Sequence, residues 1–214
     1  GAAAAACALA AAVPKNSRVL DACAAPGGKA LQLAAAGFDV AAVEKSKRRA
    51  ARLRENLERC RAAADVVVAD AVSHCRDEAA AGRLYDAILV DAPCSATGTA
   101  RRRPDVLRSD PDLPALAATQ AALLDAAWAA LAPGGVLVFA SCSALAADAE
   151  DAVFGFSART PDASLAPLAP EDVDDAFDAE AFVDGCLRLW PWHLDGVGGC
   201  DAHFVARWRK NGAV

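Results

Sequence analysis

Short apolar runs alternate along the chain with longer segments in which apolar residues recur at helical spacing. Runs of this kind, rich in Val, Ile and Leu, are typical of strands that are buried on both faces of a parallel sheet. Five strands are predicted over Arg18–Ala22, Val40–Glu44, Val66–Ala69, Tyr85–Val90 and Val136–Ala140. Helices are predicted around them over Gly1–Val13, Lys29–Ala36, Ser46–Cys60, Ala71–Ala81, Ala115–Leu131 and Leu145–Ala158.

This alternation of strand and helix predicts an α/β fold with a doubly wound, mainly parallel sheet that helices cover on both faces. Two later runs, Leu187–Trp190 and Phe204–Trp208, predict a closing antiparallel pair, so we expect seven strands with an antiparallel final strand. A long Pro- and Arg-rich loop is expected over Ala92–Pro114, and an acidic irregular crossover over Pro161–Asp184. No internal repeat or second domain is visible, and we expect one domain.

Composition narrows the class of protein. The chain has 214 residues, of which 55% are hydrophobic, enough for a sizeable core. No uncharged apolar run reaches the length of a membrane span, and Gly1–Val13 lacks the basic leader of a signal peptide. The eight cysteines include no CxxC pair that would suggest zinc, and three of them follow predicted strands. We therefore expect reduced thiols in an intracellular, monomeric protein, with no metal and no membrane partner.

Charge is distributed unevenly. The formal net charge is −6 and the isoelectric point is near 5.1, which weighs against a self-sufficient nucleic-acid binder. Basic residues nevertheless concentrate in Glu44–Arg61 and in Arg101–Arg103. The first stretch could equally be the solvated face of a helix.

Acidic residues at successive strand ends indicate a nucleoside-containing ligand, because open α/β sheets bind ligands at the carboxyl ends of their strands. Asp21 ends the first strand, Glu44 the second, and Asp70 follows the third. Glu44 could accept hydrogen bonds from ribose hydroxyls, and Asp70 from an adenine amino group. The turn Pro26-Gly27-Gly28 permits close approach of a cofactor to the backbone. Because GxGxxG is absent, S-adenosylmethionine fits better than NAD, although each acid alone could be a helix cap.

Two cysteines follow the fourth and fifth strands, at Cys94 and Cys142. A thiolate that adds to carbon 6 of cytosine makes carbon 5 nucleophilic toward a methyl donor. Asp91 could stabilise charge on the ring, and a second thiol could remove the carbon-5 proton. No aromatic residue follows Asp91-Ala92-Pro93, which disfavours amino-group methylation. These residues do not rank the two thiols, and both could simply be small buried side chains.

Three motifs together resemble the RsmB-like, Nop/Sun family of RNA cytosine-5 methyltransferases. They are Asp21-Ala22-Cys23-Ala24-Ala25-Pro26-Gly27-Gly28-Lys29, Asp91-Ala92-Pro93-Cys94-Ser95-Ala96-Thr97-Gly98 and Ser141-Cys142-Ser143. The resemblance runs from about Ala10 to Trp208. It implies the Rossmann-like fold of S-adenosylmethionine-dependent methyltransferases. Residues 1–214 would form the catalytic domain and would begin after the N-terminal RNA-binding region of the family.

The resemblance also implies roles for individual residues. Cys142 would be the nucleophile, Cys94 would help to release the product, and Asp91 and Lys29 would complete the catalytic set. The cofactor would be bound by Cys23, Ala24, Ala25, Pro26, Gly27, Gly28, Lys29, Glu44, Asp70 and Asp91. Arg101–Arg103 would face RNA, with rRNA favoured over tRNA as substrate. The alternatives are a non-catalytic scaffold that binds RNA or protein, and a methyltransferase acting on a protein or a small molecule.

Two departures from the family pattern lie outside the proposed catalytic groups. The family's closing strand typically begins Asp-Gly-Phe-Phe, whereas this chain has Asp201-Ala202-His203-Phe204. Ala30 replaces the threonine that usually follows the lysine of the first motif. We expect His203 to be a residue at a strand end rather than a catalytic group.

Overall fold

The described residues, 3–173 and 177–212 of a computed structural model, build a nine-stranded sheet with helices on both faces. The strands are β1 Arg18–Asp21, β2 Asp39–Val43, β3 Asp65–Val67, β4 Tyr85–Asp91, β5 Leu131–Ser141, β6 Ala163–Leu165, β7 Phe182–Val183, β8 Cys186–Leu189 and β9 His203–Lys210. The helices are α1 Ala4–Ala10, α2 Gly28–Ala35, α3 Lys47–Arg59, α4 Ala71–Ala80, α5 Leu113–Ala130, α6 Glu150–Arg159 and α7 Pro170–Val173. Shorter 3₁₀ segments cover Thr97–Thr99, Pro104–Arg108, Ala146–Asp148, Ala179–Ala181 and Pro191–Val197.

The order of the strands brings five carboxyl ends to one edge of the sheet. The order is β3-β2-β1-β4-β5-β9-β8-β7, and β6 pairs with β9 outside this path. Strands β1 to β5 are mutually parallel, whereas every pairing among β5, β6, β7, β8 and β9 is antiparallel. The loops that leave β1 to β5 therefore lie side by side, where open α/β sheets bind ligands.

The predicted doubly wound α/β sheet is confirmed, but the number of strands differs. The sequence predicts seven strands with an antiparallel final strand, whereas the described residues form nine strands. The antiparallel pairings involve β6, β7 and β8 as well as the final strand, β9. The two additional strands, β6 and β7, lie in the segment expected to be irregular, Pro161–Asp184. They contain three and two residues, too few for an alternating pattern to predict them.

Capping residues explain where the helices begin. Ser46 caps α3 as expected, because its hydroxyl accepts a hydrogen bond from the amide of Arg49. Helix α5 begins at Leu113, earlier than predicted, because the Asp112 carboxylate caps it and a proline is tolerated in the first turn. The helix predicted over Leu145–Ala158 begins only at Glu150, since Ala149 has the non-helical angles φ −142° and ψ −89°.

Neighbouring residues of the central strands face opposite cores. In β4, Leu89 packs in the cluster that contains α1, α2 and α3, whereas Ile88 and Val90 pack in the cluster that contains α4, α5 and α6. All three side chains are fully buried. Both faces of the sheet are thus covered, which leaves its carboxyl edge to hold a ligand. Within the described ranges, no helix has the length and apolar character needed to cross a bilayer.

Candidate active site

A cavity of about 450 Å³ opens at the carboxyl edge of the parallel strands. Glu44, after β2, and Asp70, before α4, line one part of it. Asp91, at the end of β4, lines it together with Cys94 and Cys142. The cavity therefore joins the candidate adenosine-binding acids to the two thiols.

The loop after β1 is held in place by helix α3. The carbonyl of Ala25 accepts a hydrogen bond from the Arg49 guanidinium at 2.7 Å, and that of Pro26 accepts one from the Asn56 side chain at 2.8 Å. Gly27 has a left-handed φ of 111°, and a Cβ there would lie 2.6 Å from the Leu53 side chain. The left-handed φ favours glycine, and a larger residue would also have to displace the end of the Leu53 side chain.

Glu44 and Asp70 have local partners and still line the cavity. Glu44 is buried, and its carboxylate accepts a hydrogen bond from the amide of Ser46 at 2.7 Å. Asp70 caps α4 through the amides of Val72 and Ser73 at 3.1 and 3.2 Å. These hydrogen bonds, that of Ser73 first, and the ammonium of Lys45 lower the pKa of Asp70. Asp70 can therefore cap α4 and contact a ligand at the same time.

Asp21 lies beneath the first loop, where neither of its carboxylate oxygens has a hydrogen-bond partner among the described residues. Burial, followed by the charge of Asp91, raises its pKa to about 7. The Lys29 charge and the nearby amides of Cys23 and Ala30 lower the pKa of Asp21. The two amides do so without reaching hydrogen-bond geometry with its carboxylate. Burial, then the charge of Asp21, raises the pKa of the Cys23 thiol to about 12, so this thiol is unsuited to be a nucleophile.

Lys29 and Asp91 form an ion pair at the mouth of the site. The ammonium nitrogen lies 2.7 Å from Asp91 Oδ2, and the Asp91 side chain is 34% exposed. Lys29 reaches this position from the first turn of α2, directly after the glycine turn. The pair places a positive and a negative charge where a substrate can reach them.

Cys94 and Cys142 are in direct contact, with their Sγ atoms 3.5 Å apart. The hydrogen bond from Cys142 lowers the pKa of Cys94 to about 6, with smaller contributions from the Ser141 hydroxyl and nearby amides. The same contact and burial raise the pKa of Cys142. The two thiols therefore titrate as a pair, and their contact favours loss of the first proton.

The predicted site residues fall into two adjoining hollows. Cys23, Ala25, Glu44, Asp70, Asp91, Cys94 and Cys142 line the main cavity. A second hollow of about 510 Å³ is lined by Ala24, Ala25, Pro26, Gly28, Lys29 and Asp91. Gly27 lines neither of these hollows and instead shapes the turn. Across residues 3–173 and 177–212, no group of three or more His, Cys, Asp or Glu side chains is arranged to hold a metal ion.

Several residues around the thiols were not predicted as site residues. A largely buried hydrogen-bonded group connects the two cysteine loops, and its members are Ser95, Thr97, Ser143, Asp148, Glu150 and Arg188. On the surface, Trp192 is 59% exposed and stacks on Trp190 with ring centroids 5.4 Å apart. Only Ser95, Thr97 and Ser143 lie within the motifs. Asp148, Glu150 and Arg188 lie outside them, so the motifs could not indicate these residues.

His203 is the first residue of β9, as expected for a strand end. It is buried, its Nε2 atom has no partner within the described residues, and burial, then the charge of Lys29, lowers its pKa to about 3. The ring is therefore neutral at physiological pH.

Comparison with known proteins identifies the family. The model of the 16S rRNA methyltransferase RsmB/F family matches residues 8–209. The chain belongs to this family. The resemblance seen in the three motifs is thereby confirmed, and with it an S-adenosylmethionine-dependent methyltransferase family.

Curated relatives carry related names. The chain is 43% identical over 198 residues to the ribosomal RNA small subunit methyltransferase B of Xylella fastidiosa (strain 9a5c), a match that covers 90% of the chain and 44% of the relative. It is 45% identical over 163 residues to the protein of the same name from Pseudomonas putida, over 73% of the chain and 36% of the relative. The chain thus spans less than half the length of these relatives.

Solved structures of similar fold support the same assignment. The crystal structure of PH0851 has a TM-score of 0.82 and 27% identity, over 97% of this chain and 46% of that one. NSun6 from Pyrococcus horikoshii, crystallised with SFG, has a TM-score of 0.79 and 27% identity, over 100% of this chain and 53% of that one. SFG is an analogue of S-adenosylmethionine.

Proposed function

We propose that this member of the RsmB/F family transfers a methyl group from S-adenosylmethionine to carbon 5 of a cytosine in RNA, through a covalent cysteine adduct. One observation carries the proposal. The sulfurs of Cys94 and Cys142 are 3.5 Å apart and line the same cavity as Glu44 and Asp70, the candidate adenosine-binding acids. Two thiols in contact are unnecessary for methylating an oxygen or an exocyclic amine, whereas cytosine C5 methylation needs both a nucleophile and a base.

The main cavity fits the cofactor by volume and by the chemistry of its lining. Small-molecule sites commonly have volumes of roughly 300–1,000 Å³, and this cavity has about 450 Å³. Glu44 would accept hydrogen bonds from the ribose hydroxyls, and Asp70 would lie near the adenine. The loop Cys23–Gly28, with Lys29 and Asp91, would border the methionine part. When bound, the cofactor supplies the methyl group.

The thiol pair can supply both proton transfers. Cys142 would add to carbon 6 of the cytosine while its proton passes to the Cys94 thiolate. After methyl transfer, Cys94 would release that proton to water and then remove the proton from carbon 5. The bond between Cys142 and carbon 6 would break, and its electron pair would return to sulfur. The pair begins and ends with one proton, and the single proton released to water balances the overall reaction.

The ion pair of Lys29 and Asp91 would stabilise the charge that builds up on the ring during this addition. Fixed charges in a partly buried site stabilise a transition state because they need not reorganise during the reaction. The Asp91 carboxylate would hold the amino or protonated ring nitrogen of the cytosine. The Lys29 ammonium, 2.7 Å from Asp91, would offset negative charge on the ring.

An RNA substrate, rRNA in preference to tRNA, is supported by the family and by the names of the relatives. The loop Arg101–Arg103 is exposed. It closely follows Gly98, whose amide donates a hydrogen bond to the carbonyl of Cys142 at 3.0 Å. The target cytosine would be unstacked to reach the sulfurs, as for other enzymes that modify bases.

A denaturing gel that detects covalent RNA–protein adducts tests this function. Single-stranded rRNA fragments and S-adenosylmethionine are incubated with the natural chain and with Cys94→Ala, Cys142→Ala and Cys60→Ala. We expect an adduct to accumulate in Cys94→Ala, with turnover reduced by about 10²–10⁴-fold for want of a base. We expect no adduct in Cys142→Ala.

The exposed thiol of Cys60 lies outside the site and provides the matched control. Cys60→Ala should behave as the natural chain does. An adduct that accumulates in Cys142→Ala and vanishes in Cys94→Ala would reverse the two roles. Absence of adduct in every variant, with RNA binding demonstrated by a separate filter assay, would favour the non-catalytic scaffold.

A further inference from the structure

A closed chain of hydrogen bonds links the loop of Cys94 to the loop of Cys142. We call it the cysteine-loop ring and define it by Ser95, Ser143, Arg188, Glu150 and Asp148. Asp148 and Glu150 are two positions apart, so the backbone between them closes the ring.

On the side of Cys94, the ring holds the residue that follows the thiol. The amide of Ser95 donates a hydrogen bond to Asp148 Oδ2 at 2.6 Å. Asp148 is fully buried, so this hydrogen bond is shielded from water. Gln120 of α5 reinforces the loop, because its amide nitrogen donates to the carbonyl of Pro93 at 2.9 Å and to that of Asp148 at 3.2 Å.

On the side of Cys142, the ring again holds the residue that follows the thiol. The carbonyl of Ser143 accepts a hydrogen bond from Arg188 Nη1 at 2.7 Å. Arg188 reaches it from β8, is only 5% exposed, and donates to both carboxylate oxygens of Glu150. Its guanidinium lies 5.0 Å from the ring centroids of Trp190 and Phe204. Packing and hydrogen bonds therefore fix this side chain in one position.

The two halves meet through hydroxyl groups. Ser95 Oγ and Ser143 Oγ are 2.9 Å apart, and Thr97 Oγ1 lies 3.1 and 3.2 Å from them. Each hydroxyl belongs to a loop that carries one of the thiols. A displacement of either loop would break a hydrogen bond that water cannot readily replace, since Ser95 and Ser143 are buried.

We propose that the cysteine-loop ring positions the two thiols, and that Arg188, which touches neither sulfur, is a positioning residue for their contact. The purpose of this positioning rests on the proposed function, but the contact between the two sulfurs can be tested without measuring methylation. The thiols share a proton only while their sulfurs stay within hydrogen-bond distance, now 3.5 Å. A guanidinium is needed because lysine cannot bind Glu150 with two hydrogen bonds and still reach the Ser143 carbonyl.

The pH midpoint of alkylation at Cys94 reports the contact directly. Iodoacetamide is added across a pH series to the chain without RNA or cofactor, and modification of the Cys94 peptide is followed by mass spectrometry. Groups that face the pair are the Ser141 hydroxyl, the amides of Ala96 and Cys142, and the charges of Asp91 and Lys29. All of these remain in Arg188→Lys, so a shift in the midpoint reports the sulfur contact.

We expect the midpoint in Arg188→Lys to rise by at least about one pH unit, toward the value of a free thiol near 8.5. Cys142→Ala, which removes the hydrogen-bond donor, should show the largest rise. Ser143→Ala, which breaks the hydroxyl contact but keeps Arg188, should shift in the same direction. This milder variant is decisive should Arg188→Lys fail to fold.

Arg207→Lys is the matched control. Arg207 is likewise a strand arginine, 8% exposed, and binds the Asp172 carboxylate and the carbonyls of Ala8 and Pro167. In this variant the alkylation midpoint of Cys94 should stay at the value of the natural chain, although the melting temperature should fall. Unchanged midpoints in both Arg188→Lys and Ser143→Ala, or an equal rise in Arg207→Lys, would overturn the proposal. Neither result depends on whether cytosine is methylated, so the two proposals fail separately.

Discussion

The buried carboxyl group of Asp21 gives the stability of the protein a distinctive dependence on pH. An unfolded aspartate ionises near its ordinary pKa of 3.8, whereas Asp21 in the folded chain has a pKa of about 7. Between these values the folded state binds more protons than the unfolded state, so the contribution of Asp21 to stability falls as pH rises. Above about pH 7 both states are ionised and the contribution becomes constant.

Asp21→Asn should therefore stabilise the chain relative to the natural protein in a pH-dependent way. The difference in the free energy of unfolding should be constant below about pH 4, and should grow in favour of the variant up to about pH 7. Its total growth is on the order of a few kcal/mol. Urea unfolding at a series of pH values measures it. A difference that is flat between pH 4 and 7 would contradict the assigned burial.

The sequence predicts some residues of the site and not others. Cys94, Cys142, Asp91 and Lys29 stand in compact motifs, and the structure places them together. Arg188 could not be predicted, because its contact with Ser143 joins positions 45 residues apart. Periodicity and spacing describe neighbours along the chain, whereas such a contact depends on the order of strands in the sheet.

Among the larger elements, the loop between β4 and α5 depends on one close approach. Gly98 lies between the Cys142 loop and the start of β9, and Ala202 donates a backbone hydrogen bond to its carbonyl at 2.9 Å. A Cβ at Gly98 would lie 2.6 Å from the carbonyl oxygen of Cys142 and 2.5 Å from that of Ala202. Neither backbone atom can move without shifting a thiol or a strand.

Gly98→Ala should consequently destabilise the chain by about 1–3 kcal/mol through overpacking. It should also lower methyl transfer, because the loop that carries Cys142 is displaced. Gly155→Ala in helix α6 is the control, because a Cβ there would meet only the flexible Arg159 side chain, at 3.7 Å, among the described residues. That variant should gain about 0.5–1 kcal/mol of stability and keep its activity. Equal activity of the two variants would mean that the loop tolerates displacement.

Among the strands and helices, the sequence predicts the regular alternation of β1 to β5 with α2 to α5 better than the short strands β6 and β7. Strands β1 to β5 and helices α2 to α5 follow from apolar periodicity, and the start of α3 follows from the cap Ser46. Strands β6 and β7 are stabilised by pairing with β9 and β8, not by a pattern of their own. Tertiary pairing therefore decides the segment in which local propensity is weakest.

Over the whole molecule, the acidic net charge opposes binding of the proposed substrate, because RNA is a polyanion. The net charge is −6, and the exposed basic residues lie mainly on α3 and in Arg101–Arg103. The loop is connected to Cys142 through Gly98, whereas α3 packs beside the first loop. Within Arg101–Arg103, Arg102 pairs with Asp201 and Arg103 with Asp105, whereas Arg101 donates a hydrogen bond to the carbonyl of Gly198. The pair of Arg103 and Asp105 is exposed on both sides, so a phosphate can compete for the guanidinium.

Replacing Arg101 and Arg103 by Gln should weaken binding of single-stranded RNA and reduce its salt dependence. Each lost phosphate contact should lower the slope of log K against log salt by about 0.7. The same change of charge at Arg48 and Arg52, both exposed on α3, should leave the slope nearly unchanged. Fluorescence titrations from low to moderate salt measure both pairs. If the two double variants lost the same slope, total charge rather than the position of the loop would govern RNA binding, and the loop would have no special part in presenting cytosine to the thiols.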